Sequence, residues 1–303
     1  MKLYAGVDGG QTATQAVVGD ERGTVLGRGG GGPANHVDEP GAQERLRSAV
    51  DDAVRAALRA AGLPSATLFK GAHVALTGEV EEQRVAVVGS VVRAERLTVG
   101  HDAPAAWMGA FGGAPGVAVI AGTGSVAFGC NAAGDEVRVG GWGYLFGDRG
   151  SAFWIAAEAI RRALDSADRG RDSALGEAAC RHFGVERPAQ IPAAFYRRAL
   201  ARDTLAGFAP VVTALALQGE VAAISLVEEA GRALAELALV ALERLGLRRG
   251  EVAVVGGAAV DPLLRRAMAR ELTLQGVTLR EPLAEPVIGA LWLAGGRGGG
   301  ERA

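Results

Sequence analysis

Residues 117–151, VAVIAGTGSVAFGCNAAGDEVRVGGWGYLFGDRGS, decide the fold. Residues 117–121 predict a buried strand, because short apolar runs bounded by glycine are typical of strands. The turn Gly122-Thr123-Gly124-Ser125 follows, and residues 126–129 predict a second strand directly after it. Glycine lets a ligand approach the backbone closely, and successive N–H groups and hydroxyls in such a turn suit phosphate oxygens. The stretch therefore predicts a β-hairpin whose turn binds an anion.

The end of the same stretch carries a second cluster of glycines, with one indole ring and one carboxylate. Gly141, Trp142 and Gly143 follow one another, and Gly147 precedes Asp148. An indole ring offers an apolar face to a sugar ring, while a carboxylate accepts hydrogen bonds from sugar hydroxyls. This cluster therefore indicates a site for a carbohydrate.

The overall composition favours a large core and restricts the class of partner. With 303 residues the chain is long enough for two domains, and 49% of the residues are apolar. A formal net charge of −2 gives no basis for binding nucleic acid or an anionic membrane surface. No uncharged run approaches the length of a membrane span, and the first ten residues lack the apolar segment of a leader. The sequence thus predicts a soluble cytoplasmic protein without nucleic-acid or membrane partners.

The two cysteines restrict the chemistry further. Cys130 and Cys180 are too few for a disulfide framework, and neither belongs to a C-x-x-C pair. A zinc site or an iron–sulfur cluster held within one chain is therefore not expected.

A hairpin of similar chemistry stands at the N-terminus. Two predicted strands flank the turn 8–14, which contains Asp8, Gly10 and Thr12. A carboxylate beside a phosphate-binding turn is a suitable partner for Mg²⁺, usually through water. The alternative is an ordinary glycine hairpin, but the recurrence of the pattern at residues 122–125 favours a functional turn.

Three further polar residues lie where strands end. Asn35 follows the third predicted strand and suits a sugar hydroxyl, although an Asx-turn explains it equally well. Thr77 ends another predicted strand. Asp102 follows a strand predicted over residues 97–100, and ligands of open α/β sheets bind beyond the carboxyl ends of strands. The alternative role for Asp102 is to cap a helix over residues 103–110, and both roles are compatible.

A third glycine turn stands near the C-terminus. Residues 252–255 predict a strand, Gly256 and Gly257 follow it, and residues 262–270 predict a helix. A strand, a glycine pair and a helix N-terminus together are typical of nucleotide binding, because bare backbone lets an adenosine lie against it. The chain has neither G-x-x-x-x-G-K-[ST] nor G-x-G-x-x-G between a strand and a helix, which argues against a P-loop or dinucleotide-binding protein.

The remaining chain is mostly helical. Helices are predicted over residues 39–62, 81–89, 152–165, 222–245 and 286–294. Ser151 is expected to cap the third of these helices. Residues 166–220 carry no readable chemical motif and indicate a helical insertion. The two similar hairpins, about a hundred residues apart, predict a duplicated domain with a nucleotide held between the halves.

With these motifs in order, the sequence resembles the N-acetylglucosamine kinase and BadF/BadG/BcrA/BcrD-type ATPase family, within the actin, sugar-kinase and heat-shock-70 superfamily. The resemblance covers about residues 3–294. The segments that carry it are GVDGGQTATQAVV, GPANH, VALTG, HDAPAAW, IAGTGS, GGWGYLFGDRGS, LAGFAPVV and VAVVGGAAVDPLL.

The resemblance implies an α/β fold with two ribonuclease-H-like (actin-like ATPase) domains and a nucleotide cleft between them. The N-terminal domain would span residues 1–108, with a returning helix over 286–296. The C-terminal domain would span residues 109–285, with the helical insertion at about 166–220, and residues 297–303 would form a flexible tail.

The resemblance also assigns site residues, all by matching positions. Asp102 matches the catalytic base, and Asp8 the carboxylate that holds Mg²⁺. The ATP-binding positions are Gly10, Thr12, Gly122, Thr123, Gly124, Ser125, Ala206, Gly256 and Gly257. The sugar-contacting positions are Asn35, Thr77, Asp102, Gly141, Trp142, Gly143 and Asp148.

The activity that the resemblance implies is ATP-dependent phosphorylation of an amino sugar at the 6-hydroxyl, with Mg²⁺ as cofactor. Related alternatives are a kinase for glucosamine or N-acetylmuramic acid, and a homodimer is the expected assembly if the chain associates. A different class is the ATPase activator of an acyl-CoA dehydratase, but Cys130 and Cys180 do not match its cluster loop. A catalytically silent sugar sensor is disfavoured because Asp8, Asp102 and Thr123 are all present.

One position departs from the family's pattern. Asp148-Arg149-Gly150-Ser151 stands where the family usually has Asp-Glu-Gly-Ser. Arg149 is expected either to form a salt bridge, for example with Glu158, or to contact an anionic group such as the lactyl carboxylate of N-acetylmuramic acid.

Overall fold

The computed structural model describes residues 1–34, 41–78, 81–197, 200–257 and 261–296. The chain divides into two compact units. The N-terminal unit comprises Met1–Ala118 with Glu281–Ala303, and the C-terminal unit comprises Val119–Arg280. The borders expected from the sequence were 108/109 and 285/286, and the assignment of an ATPase domain to each unit stays a prediction.

The secondary structure alternates strands and helices. In chain order the elements are β1 (Leu3–Gly9), β2 (Thr14–Asp20), β3 (Val25–Gly31), α1 (Ala42–Ala60), β4 (Gly71–Leu76), α2 (Glu82–Val91), β5 (Leu97–His101), α3 (Asp102–Phe111), β6 (Gly116–Ala121), β7 (Ser125–Cys130), β8 (Glu136–Gly140), α4 (Ala152–Asp168), α5 (Ala174–Phe183), α6 (Gln190–Tyr196), α7 (Arg202–Ala206), α8 (Ala209–Leu217), α9 (Val221–Arg244), β9 (Glu251–Val255), α10 (Pro262–Leu274), β10 (Thr278–Arg280) and α11 (Pro286–Leu291). A wide turn, Trp292–Gly296, follows the last helix.

The two sheets have the same topology. The first has the strand order β3-β2-β1-β4-β5, and the second has β8-β7-β6-β9-β10. In the first sheet β1 is antiparallel to β2 and parallel to β4, which is parallel to β5. In each sheet a meander of three strands is therefore extended on the other side by two later strands. This equivalence confirms the predicted α/β fold and supports the duplication expected from the hairpins.

Small residues bring α1 directly onto the first sheet. Gly27, Gly29 and Gly31 alternate along β3, and a Cβ atom at any of them would overlap a backbone carbonyl oxygen of α1. Side chains two apart share one face of a strand, so the three glycines form a flat strip under the helix. The strand β3 therefore continues through these glycines to Gly31.

The C-terminal helix packs in the N-terminal unit in a similar way. A Cβ atom on Gly289 of α11 would overlap the carbonyl oxygen of Ala105 in α3, and one on Gly6 of β1 would overlap the backbone at Leu291. Val287 and Leu291 are fully buried in this contact. The helix ends at Leu291 rather than at residue 294, and residues 297–303 lie outside the described residues.

The predicted insertion contains four helices, α5–α8. Of the helices that the structure describes, none is long and apolar enough on its own to cross a membrane. One pair of consecutive segments, Arg202–Leu217 and Val221–Arg244, has the length and composition of a membrane span only when the two are counted together. A bend of 118° separates them.

Candidate functional site

The candidate catalytic residues of the N-terminal unit meet at one edge of its sheet. Asp8 precedes the last residue of β1, Thr77 directly follows β4, and Asp102 directly follows β5. The strands are parallel and in register, with Asp8 beside Ala75 and Leu76 beside His101. The carboxyl ends of three neighbouring strands therefore present a hydroxyl and two carboxylates together, as the sequence analysis expected for Asp102.

A hydrogen bond joins two of these side chains. The hydroxyl Oγ1 of Thr77 donates to Oδ2 of Asp102 at 2.8 Å. His101, rather than Asp102, is the N-cap residue of α3, and its side chain makes no capping hydrogen bond. The interpretation of Asp102 as the cap of a helix over residues 103–110 is therefore wrong, because α3 begins at Asp102 itself.

The environment of Asp8 fits a cation. Burial, and then the negative charge of Asp102, raise the pKa of Asp8 to about 7. A cation would relieve both effects, and Mg²⁺ in phosphoryl-transfer sites commonly uses one or two carboxylates with water and phosphate oxygens. Among the described residues no group of three or more His, Cys, Asp or Glu side chains could hold a metal. The donor set thus suits Mg²⁺ shared with phosphates better than a cage made by the protein alone.

The β1–β2 turn is closed by backbone hydrogen bonds. The N–H of Gly10 donates to the carbonyl of Ala13 at 3.0 Å, and the carbonyl of Gly10 accepts from the N–H of Ala34 at 3.1 Å. Thr12 is exposed at the tip, with its side chain open to a ligand. Asn35, predicted to contact the sugar, lies outside the described residues.

Sequence reasoning missed a buried arginine beside this edge. Arg84 of α2 is only 5% exposed, and its guanidinium donates to the carbonyls of Thr77 at 3.1 Å and Ala34 at 3.5 Å. Burial lowers the pKa of Arg84, while the charges of Glu81 and Asp102 oppose the shift. The arginine thus links the segments that follow β3 and β4. The available signal was its spacing of four residues from Val88, which puts both residues on the buried face of the helix.

In the C-terminal unit the predicted phosphate turn rests on the N-terminus of α4. The carbonyls of Gly122 and Thr123 accept from the N–H groups of Ala152 at 2.9 Å and Phe153 at 3.4 Å. Ser151 caps the helix as predicted, since its Oγ accepts from the N–H of Trp154 at 3.2 Å. A helix N-terminus favours nearby negative charge, so the turn stands in a favourable field for phosphate.

The side chains of this turn are not equally available. Thr123 is partly exposed, whereas Ser125 is 3% exposed and its hydroxyl donates to the carbonyl of Arg149 at 2.9 Å. The hydroxyl of Ser125 therefore holds the loop that follows β8 and is not free for a phosphate oxygen.

The third glycine turn lies against the strand that precedes the phosphate turn. Gly256 has a φ of 97°, and a Cβ atom there would lie 2.7 Å from the carbonyl oxygen of Ala121. Gly257 has nothing within 4 Å of such an atom. Ala206, the predicted adenine-side residue, is the buried last residue of α7. The structure thus brings Gly256 next to the end of β6, as a nucleotide site requires.

The predicted sugar-binding loop exposes large apolar side chains. Trp142 is 75% exposed and Phe146 is 87% exposed, while Gly141 is held by its N–H donating to the carbonyl of Ser125 at 3.0 Å. The N–H of Gly147 donates to the carbonyl of Gly143 at 2.7 Å and closes the loop. The predicted sugar-binding loop, residues 141–147, therefore presents an indole face from a backbone that is anchored to the predicted phosphate turn.

Asp148 is buried at the base of this loop. Its side chain is 5% exposed, and Oδ2 accepts from Nη2 of Arg202 at 2.8 Å. Burial raises the pKa of Asp148, against the opposing effect of the nearby backbone of Ser125 and Gly143 and of the Arg202 guanidinium. Arg202, 54 residues away in sequence, is the second functional residue that sequence reasoning missed.

Arg149 points away from this cluster. Its Nη1 lies 3.4 Å from Oε2 of Glu236, and both side chains are more than 60% exposed. Glu158 instead pairs with Arg161 at 2.8 Å. The predicted pair of Arg149 with Glu158 is therefore wrong, because α9 supplies a carboxylate on the side to which Arg149 points.

Neither cysteine forms a disulfide bond: Cys130 is buried in β7, and Cys180 lies in α5. They lie on different elements and belong to no cluster of metal-binding side chains among the described residues.

Comparison with known proteins identifies the family of the chain. Residues 5–294 match the model of the BadF/BadG/BcrA/BcrD ATPase family. A glucosamine kinase of Vibrio cholerae is 31% identical over 253 residues, which are 82% of this chain and 83% of the relative. An N-acetylmuramic acid/N-acetylglucosamine kinase of Clostridium acetobutylicum is 24% identical over 265 residues, which are 86% of each chain.

A solved structure is similar over nearly the whole length. A protein of Chromobacterium violaceum assigned as an N-acetylglucosamine kinase superposes with a TM-score of 0.80 at 27% identity. The similarity covers 97% of this chain and 99% of that protein. The family expected from the sequence motifs is thereby confirmed: the chain belongs to the BadF/BadG/BcrA/BcrD ATPase family.

Proposed function

We propose that this chain is an ATP-dependent kinase that phosphorylates an amino sugar at its 6-hydroxyl group. The observation that carries the proposal is the strand-end edge where Thr77 donates to Asp102 beside Asp8. Phosphoryl transfer to an alcohol uses a general base in a fixed position and a cation that neutralises phosphate charge. Asp102 and Asp8 are suited to these two roles. The relatives named as amino-sugar kinases support the class of substrate.

The base in this proposal is Asp102. It accepts the proton of the attacking sugar hydroxyl on a carboxylate oxygen, while Thr77 holds the carboxylate in one orientation. Phosphoryl transfer depends mainly on positioning and charge neutralisation, so a fixed base contributes through geometry as much as through basicity. Arg84 supports the same edge by tying the segment that carries Thr77 to the segment before the sugar-binding Asn35.

The triphosphate is proposed to bind at the two hairpin turns. Gly10 and Thr12 in one unit, and Gly122–Ser125 in the other, offer backbone N–H groups and the hydroxyls of Thr12 and Thr123. Ser125 contributes backbone rather than its hydroxyl, which is already bonded. Adenosine is proposed to lie against Gly256 and Gly257, with Ala206 on the adenine side.

The metal in this proposal is Mg²⁺, held through Asp8. The chemistry it supplies when bound is neutralisation of phosphate charge. The raised pKa of Asp8 supports this assignment, because an isolated buried carboxylate is costly unless a cation accompanies it.

The sugar is proposed to be held by Asn35, Thr77, Gly141, Trp142, Gly143 and Asp148. A carboxylate has about four acceptor positions, and Arg202 donates to one oxygen of Asp148, Oδ2, at 2.8 Å. The other oxygen, Oδ1, is proposed to accept from a sugar hydroxyl. Trp142 offers its exposed face to the ring.

The position of phosphorylation is tested by product analysis. The chain is incubated with ATP, Mg²⁺ and N-acetylglucosamine, glucosamine or N-acetylmuramic acid, and the product is examined by phosphorus–proton correlation NMR. We expect coupling of the phosphorus to the protons on carbon 6, and no product from the 6-deoxy sugar. Coupling at carbon 1 would refute the assigned position. A cytoplasmic location, where ATP is supplied, and a homodimer remain part of the proposal.

A further inference from the structure

The ion pair of Arg202 with Asp148 lies where three segments of the C-terminal unit meet. A Cβ atom on Gly124 would lie 2.7 Å from Oδ2 of Asp148 and 3.1 Å from Nη2 of Arg202. The pair therefore occupies the space directly beside the phosphate turn, and the absence of a side chain at Gly124 makes that space available. A larger residue at position 124 would displace the pair.

The conformation of Asp148 is itself unusual. Its φ is +56°, and it is the one residue other than glycine with a positive φ among the described residues. A left-handed conformation at a residue with a side chain persists when the surroundings determine it. Here the determining contacts are the guanidinium at 2.8 Å and the close packing of the carboxylate against Gly124 of the phosphate turn.

Two aromatic rings also contact the guanidinium of Arg202. It lies 5.2 Å from the ring centre of Tyr144 and 5.8 Å from that of Phe153, and these two rings pack edge to face at 4.9 Å. Tyr144 belongs to the sugar-binding loop, and Phe153 belongs to the first turn of α4. The Nε of Arg202 is buried without a hydrogen-bond partner among the described residues. Ring stacking and one carboxylate, rather than a full set of acceptors, therefore set the orientation of the guanidinium.

We propose that Arg202 is a positioning residue that clamps the phosphate turn, Gly122–Ser125, to the sugar-binding loop, residues 141–147, through Asp148. The cation comes from α7, in the helical insertion whose residues carry no readable chemical motif of their own. Ala206 lies four residues after Arg202 on the same short helix and so on the same face. The insertion thus contributes to the adenine side and to the shape of the phosphate turn at once.

Removal of the Arg202 guanidinium should affect both segments that the clamp joins. With the guanidinium removed, Asp148 would keep a buried charge without its ion-pair partner, and its left-handed conformation would lose its strongest contact. The phosphate turn and the sugar-binding loop would then open more often. The phosphate turn would bind a nucleotide more weakly, because its donors would no longer be pre-organised.

The test compares Arg202→Gln and Arg202→Lys with the native chain and with Arg181→Gln. Arg181 is a matched control, because it pairs with Glu177 at 3.6 Å on an exposed face of the same insertion. Thermal unfolding establishes that each variant is folded. Hydrogen–deuterium exchange then follows peptides that cover residues 122–125 and 141–147, and calorimetry gives the Kd of a non-hydrolysable ATP analogue.

We expect Arg202→Gln to raise exchange in both segments and to weaken nucleotide binding by about ten-fold, the loss typical of a charge-assisted hydrogen bond that is partly exposed. Arg202→Lys should fall between Arg202→Gln and the native chain, since a lysine keeps the charge but loses the planar stacking. Arg181→Gln should match the native chain in both measurements. If Arg202→Gln does not fold, the same two measurements on Arg202→Lys decide the test, with a smaller rise in exchange and a smaller increase in Kd expected.

Two results would overturn the clamp: unchanged exchange in both segments of a folded variant, or raised exchange with an unchanged Kd. The inference rests on the proposed function only for the use of the nucleotide. A native chain that phosphorylates no amino sugar would refute that function, while the exchange measurements would still decide whether Arg202 holds the two segments.

Discussion

Oγ1 of Thr77 and Oδ2 of Asp102 lie 2.8 Å apart, although the two residues follow different strands. The parallel register of β4 and β5 sets this distance. Leu76 pairs with His101, so the next residues, Thr77 and Asp102, lie side by side at the same edge of the sheet. The carboxylate proposed as the base therefore has a fixed orientation before any substrate binds.

Removal of the Thr77 hydroxyl tests this relationship. We expect Thr77→Val to lower kcat for sugar phosphorylation by about ten-fold, because a hydrogen bond to a charged group is lost while the side chain keeps its volume. Thr77→Ser restores the donor and should recover most of the activity. Steady-state kinetics of both variants make the comparison, and equal losses in the two would show that the methyl group of Thr77 matters rather than its hydroxyl.

Asp8 predicts a dependence on Mg²⁺ that is visible without turnover. The pKa of Asp8 in the folded chain, about 7, lies above the ordinary value of 3.8. The folded chain therefore holds this proton more tightly than the unfolded chain, and the free energy of unfolding falls as the pH rises from 3.8 to about 7. Above pH 7 this loss of stability reaches up to roughly 4 kcal/mol, unless a cation is bound. Asp8→Asn should therefore melt at a higher temperature than the native chain at pH 8 without metal.

Addition of Mg²⁺ at pH 8 should raise the melting temperature of the native chain and leave that of Asp8→Asn unchanged. Activity of the native chain should require Mg²⁺ but neither iron nor anaerobic handling. Equal responses of the two proteins to Mg²⁺, or an iron–sulfur chromophore in protein purified anaerobically, would contradict the assignment of Asp8.

Arg149 is expected not to select the sugar. An exposed pair such as Arg149 with Glu236 contributes about 0–1 kcal/mol, and its guanidinium points toward α9. Arg149→Glu should change the ratio of kcat/KM for N-acetylmuramic acid and N-acetylglucosamine by less than about two-fold. A shift of ten-fold or more toward the uncharged sugar would instead support the role of Arg149 as a contact to an anionic substrate.

His73 predicts how stability depends on pH. Its Nδ1 lies 2.8 Å from Oγ1 of Thr98, and burial lowers its pKa to about 4 from an ordinary value of 6.5. The unfolded chain takes up this proton below about pH 6.5, whereas the folded chain does so only near pH 4. The free energy of unfolding should therefore fall as pH falls across this window, by up to roughly 3 kcal/mol.

Urea unfolding of the native chain and His73→Gln at pH 7.5 and pH 4.5 measures this contribution. The native chain should lose more stability than the variant between the two values. The same loss in both proteins would assign the acid sensitivity to other groups.

The hairpins and the family could be predicted from sequence because their signals are local. Apolar runs, glycine turns and neighbouring hydroxyls lie within a dozen residues of one another at 8–14 and 122–125. The edge strand β8 was missed, although Val137 and Val139 alternate with polar residues in the pattern of a half-exposed strand. The strand has only 5 residues, and no element was predicted for this segment.

The parts of the site that could not be predicted depend on contacts between distant segments. Arg202 and Asp148 meet because α7 packs beside α4, and no spacing in the sequence carries that information. The hydroxyl of Ser125 was expected to face phosphate, but the path of the chain at Arg149 gives it a backbone acceptor instead. The role of Asp102 as a cap was wrong because α3 begins one residue earlier than predicted, so that Asp102 is its first residue.

The central claim is that the chain transfers phosphate from ATP to an amino sugar with Asp102 as the base. The most direct measurement is ADP release from ATP and Mg²⁺, with and without N-acetylglucosamine, glucosamine and N-acetylmuramic acid, for the native chain and Asp102→Asn. We predict sugar-dependent release by the native chain, a loss of about 10²–10⁴-fold in the variant, and nearly unchanged binding of ATP by both. Release that no amino sugar stimulates, or near-native turnover by Asp102→Asn, would contradict the account.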